Sequence, residues 1–84
     1  MPKLHFKFRE DASEMTRQVV IRRLLRNGVR DVHRLFPSER DKELGALFVA
    51  EVEDETKGRE ILGFLSQSRE VEFAEPEARR KLIR

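Results

Sequence analysis

Eighty-four residues without a cysteine allow one modest core and exclude both a disulfide framework and a thiolate metal centre. Charged residues make up 40% of the chain, yet the net charge is only +2, with 11 Lys/Arg against 6 Asp/Glu up to Lys42 and 7 against 10 from Glu43 onward. That is a mild dipole, not the basic excess of a strong nucleic-acid binder.

The chain opens with "KLHFKF", which sets Leu4, Phe6 and Phe8 on one face and His5, Lys7 and Arg9 on the other, the period of a half-buried strand. "EDASEMT" supplies helix-start chemistry: Asp11 or Ser13 can cap, with Glu14 three residues after Asp11 as a capping-box partner. Val20, Ile21, Leu24 and Leu25 then recur at helical spacing among arginines, and Asn27-Gly28 predicts the stop. "VRDVHRLF" reads as a partly exposed strand ended by Pro37 and Ser38, and a polar turn follows. The most apolar strand is "ALFVAEV", with Ala46, Phe48, Ala50 and Val52 on one face. "EDETKGREILGFLSQS" predicts a second helix, its acids at the N-terminus and Ile61, Leu62 and Leu65 as the inner stripe. A final strand is expected from Arg69 to Ala74, with Val71 and Phe73 on one face against Glu72.

The order β-α-β-β-α-β predicts an α+β, ferredoxin-like fold: a four-stranded antiparallel sheet with two helices on one face. One domain is expected over residues 1–77, followed by an extended C-terminal tail over 78–84. The expected core is Phe6, Phe8, Leu24, Phe48, Ile61, Leu65 and Phe73. His5, Lys7, Leu47 and Val49 are expected on the other face of the sheet. No stretch approaches the roughly 18 apolar residues of a membrane span, and "MPKLHFKFRED" lacks a signal-peptide pattern. Read as complete, the chain is expected to be cytoplasmic and to have no membrane partner.

The fold decides no function, so the side chains must. No catalytic residues are expected. The two histidines, His5 and His33, both fall in predicted strands, and no serine or cysteine is set beside a base. Two strand histidines could meet across the sheet and take a metal, but no third ligand is evident, so neither metal nor cofactor is expected. The four glycines are scattered and build no phosphate loop. RNA-binding modules of this topology stack bases on aromatics of the first and third strands. Here Ala46 and Glu51 stand where aromatics would be needed, Phe48 is assigned to the core, and there is no Tyr or Trp.

The segment "REVEFAEPEARRKLIR" is the more informative one. With "KLHFKF", the first helix and turn, and "ALFVAEV", it resembles the inhibitory propeptides of subtilisin-like serine proteases and their free-standing inhibitor relatives. These typically close on a valine-x-aromatic strand followed by acids. The resemblance spans the whole chain and is most specific in that last segment. It implies an inhibitor or intramolecular-chaperone propeptide whose sheet docks on two parallel helices of the protease, in cis or in trans. It places Glu75 and Glu77 as the acids that cap those helices' N-termini, Glu77 standing where aspartate is commoner. It lays Lys81, Leu82, Ile83 and Arg84 in the substrate cleft as a product-like peptide. Lys81 departs from the apolar side chain that many subtilisins take four residues before the cut. The alternative is a non-catalytic protein-protein interaction domain of the same fold without protease binding, with RNA binding ranked behind it.

Overall fold

The computed structural model describes residues 2–38 and 40–77. The chain forms β1 (Lys3–Phe8), α1 (Glu14–Arg26), β2 (Asp31–Arg34), α2 (Lys42–Gly45), β3 (Leu47–Glu51), α3 (Glu55–Gln67) and β4 (Val71–Pro76). The strands make one antiparallel sheet in the order β2-β3-β1-β4. This is the ferredoxin-like arrangement, with a single turn of helix, α2, added between β2 and β3.

Each long helix begins where a short polar side chain satisfies the free N–H groups of its first turn. Ser13 Oγ accepts from the Thr16 N–H at 3.1 Å, so Ser13 rather than Asp11 is the cap of α1. Asp54 Oδ1 accepts from the Lys57 N–H at 2.8 Å and opens α3. Arg23 and Arg26 lie in the last turn of α1, where the helix dipole favours cations. Asn27 is the cap there, and Gly28 follows with φ of +99°, a left-handed conformation that costs glycine least. Asp54→Ala should cost about 1 kcal/mol in urea unfolding, and Asp54→Asn much less, because asparagine also caps.

One face of the sheet meets both long helices. Leu4, Phe6 and Phe8 of β1, Ala50 of β3 and Val71 of β4 are buried together with Val20 and Leu24 of α1 and Ile61 and Leu65 of α3. Phe6 and Phe48 are direct cross-strand partners, stacked with ring centroids 5.7 Å apart. Phe8 sets its ring edge-on to both, at 5.4 Å from Phe6 and 5.3 Å from Phe48. The Arg17 guanidinium of α1 lies over the Phe8 ring, 5.4 Å from its centroid.

The expected core holds with one correction. Phe6, Phe8, Leu24, Ile61 and Leu65 are buried, and Phe48 packs partly buried against them, but Phe73 is 41% exposed. The cause is a register shift. Lys7 pairs with Phe73 but Phe8 pairs with Val71, leaving Glu72 as an extra residue in β4. Such a bulge puts two residues opposite one and reverses which face the strand presents. Val71 therefore stays with the helices while Phe73 turns to the other side. The strand also runs from Val71 to Pro76 rather than from Arg69 to Ala74.

Candidate functional site

The face away from the helices is built from alternate residues of all four strands. The register sets His5 beside Val49 and Lys7 beside Leu47, and on the other side of β1 sets His5 beside Glu75 and Lys7 beside Phe73. In β2, His33 faces Val49 and Asp31 faces Glu51. The expected set of His5, Lys7, Leu47 and Val49 is thus assembled in one patch, and the β4 bulge adds Phe73 to it. At the centre, Val49 and His5 are 3% and 6% exposed, while Leu47, Lys7 and Glu75 are half-buried.

This patch is mixed at its middle, with Val49 and Leu47 beside His5 and Lys7, and charged along its rim. Lys7 Nζ stands 3.6 Å from Glu72 Oε2 at the bulge. The three aromatics of β1 and β3 point the opposite way, into the helix layer. Phe73 is the aromatic of β4 on the patch. A base-stacking platform needs aromatics from the two central strands, and these residues spend theirs on the core.

Glu75 and Glu77 come to the same corner. Glu75 is the cross-strand partner of His5 within β4. Glu77 lies just past the strand, where its N–H donates to the Lys3 carbonyl at 3.0 Å. Its Oε2 stands 3.4 Å from His5 Nε2, so in the free chain its carboxylate faces a histidine of its own domain. Both glutamates are half-buried. Lys81, Leu82, Ile83 and Arg84 lie outside the described residues.

The two histidines share a face but do not meet. Val49 stands between them in the register, which separates them by two strand spacings, about 9–10 Å. His33 instead joins two carboxylates: its Nδ1 is 2.8 Å from Asp31 Oδ2 and 4.0 Å from Glu51 Oε2. This grouping is invisible to local spacing, because Glu51 is brought to Asp31 only by the pairing of β2 with β3.

A surface depression of about 340 Å³ is lined by Glu10, Ala12, Glu14, Arg17, Arg34, Arg40, Asp41 and Gly45, with no serine or histidine among these described residues. A second, of about 270 Å³, includes Ser13 and Thr16. Their hydroxyls lie 2.8 Å apart, and Ser13 Oγ is already committed to the helix cap. No helix among the described residues is long and apolar enough to cross a membrane. No protein-family model, curated protein or solved structure matches the chain.

Proposed function

We propose that this chain is a propeptide-type inhibitor of a subtilisin-like serine protease, docking by the sheet face away from its helices and blocking the cleft with residues 78–84. The observation that carries this reading is the make-up of that face. Leu47 and Phe73 offer an aliphatic and aromatic surface over the buried Val49, flanked by charge and suited to packing against helices of a partner protein. β4 runs along the edge of the sheet and delivers Glu75 and Glu77 to the corner from which the chain continues.

In this mechanism the domain is a rigid clamp. Carboxylates of Glu75 and Glu77 meet the free N–H groups of the protease helices, where negative charge is favoured. Glu77 exchanges its contact with His5 for the protease helix. The seven residues 78–84, extended, span at most about 25 Å and add a strand to the edge of the cleft. Tethering makes that insertion intramolecular, at an effective concentration in the millimolar range. The same clamp, joined to its protease, would stabilise the folding of the enzyme's helix pair.

The test is inhibition of a panel of subtilisin-like proteases by the full chain and by a form truncated after Glu77. Nanomolar inhibition by the full chain, weakened about 100-fold or more by truncation, is the expected result. If neither form binds or inhibits any of them, the reading fails. Partner capture would then pursue the protein-interaction alternative.

A further inference from the structure

The face away from the helices carries a second group of side chains, which the inhibitor reading does not use. Asp31 and His33 hold alternate positions in β2 and so share this face, and the antiparallel register sets Glu51 of β3 directly opposite Asp31. We infer that Asp31, His33 and Glu51 form a binding site for a divalent transition-metal ion of the zinc type.

The geometry is already close to what one ion needs. Two atoms bound at about 2.1 Å in tetrahedral coordination stand about 3.4 Å apart. His33 Nδ1 lies 2.8 Å from Asp31 Oδ2 and 4.0 Å from Glu51 Oε2, distances on either side of that spacing. All three donor atoms fall within 4.8 Å of one another. The remaining approach between the carboxylates requires only side-chain rotation, and the Asp31 and Glu51 side chains are 58% and 28% exposed. Two hydrogen-bonded strands hold the backbone beneath them, with the Arg30 N–H donating to the Glu51 carbonyl at 2.7 Å.

The chemistry of the donors selects the ion. An imidazole with two carboxylates suits zinc, cobalt or nickel, whereas magnesium and calcium take shells of oxygen. Like charges directly opposite each other on a sheet repel, and a dication between Asp31 and Glu51 turns that repulsion into attraction. An ionised carboxylate only accepts hydrogen bonds, so Nδ1 is the donor toward Asp31 in the ion-free chain, and the neutral ring binds the ion through Nδ1 by moving its proton to Nε2. Three ligands from one side leave the outer positions to solvent.

The experiment uses the full chain, free of any histidine tag and stripped with a chelator, titrated with zinc ions alone. Calorimetry should show one ion per chain. Histidine-ring NMR signals should shift for His33 and not for His5, which stands about two strands away. His33→Ala and Glu51→Gln should each weaken binding by at least about tenfold, with His5→Ala as the unaffected control. Magnesium at equal concentration should not compete. The inference is overturned if His33→Ala binds zinc as tightly as the parent, or if the His33 ring signals of the unmutated chain stay put at millimolar zinc. The group would then be an ordinary surface ion pair. Because the site does not rest on protease binding, inhibition measured with and without chelator fails or succeeds separately.

Discussion

Phe6→Ala is expected to remove about 3–5 kcal/mol of stability, the usual loss for a large aromatic deleted from a core. A chain of this length has roughly 4–13 kcal/mol in total, so the variant should be largely unfolded at the lower end of that range. The position explains the size. Phe6 is fully buried in one of the two central strands, stacked on Phe48 and touched edge-on by Phe8. Its removal leaves a void that the paired backbones of β3, β1 and β4 cannot collapse to fill. Urea unfolding followed by circular dichroism reads the effect. A loss under about 1 kcal/mol would show that the aromatic triad is not where the stability lies.

Phe73→Ala should do the reverse. With the residue 41% exposed on the far face, its truncation should cost only about 1 kcal/mol of stability. If the proposed docking is correct, the same substitution truncates an aromatic anchor at the interface and should weaken protease inhibition about 30-fold or more. The pairing of the two measurements matters. A large stability loss would return Phe73 to the core, and intact inhibition from a folded variant would remove this face from the interface.

Phe73 also marks where sequence reading stops. Its spacing from Val71 is that of two residues on one face, and the bulge at Glu72 overrides it. A bulge with no glycine leaves no local signature. By contrast, the alternation in "KLHFKF" was sufficient to place Leu4, Phe6 and Phe8, because period two has only one burial solution beside an amphipathic helix. The stop at Asn27-Gly28 was legible for a similar reason: few residues tolerate the backbone found at Gly28. The turn of helix at Lys42–Gly45 was read only as a polar turn, since one turn is too short to show a period. The patch of His5, Lys7, Leu47 and Val49 followed from alternation alone. The grouping of Asp31 and His33 with Glu51 did not, since it depends on which strands pair and in what register.

The place of β1 in the sheet has a consequence for how the domain comes into being. It is the first of the four strands to be made and one of the two with neighbours on both sides, here β3 and β4. A nascent chain thus carries an apolar ribbon with both edges bare until β3 is complete, and with one edge bare until β4 follows. Pairings so distant along the chain close slowly. The last strand to arrive is also the one that leads into residues 78–84. Any role those residues have in a partner's cleft therefore waits on closure of the sheet, and a half-made chain has neither the finished clamp nor the tail.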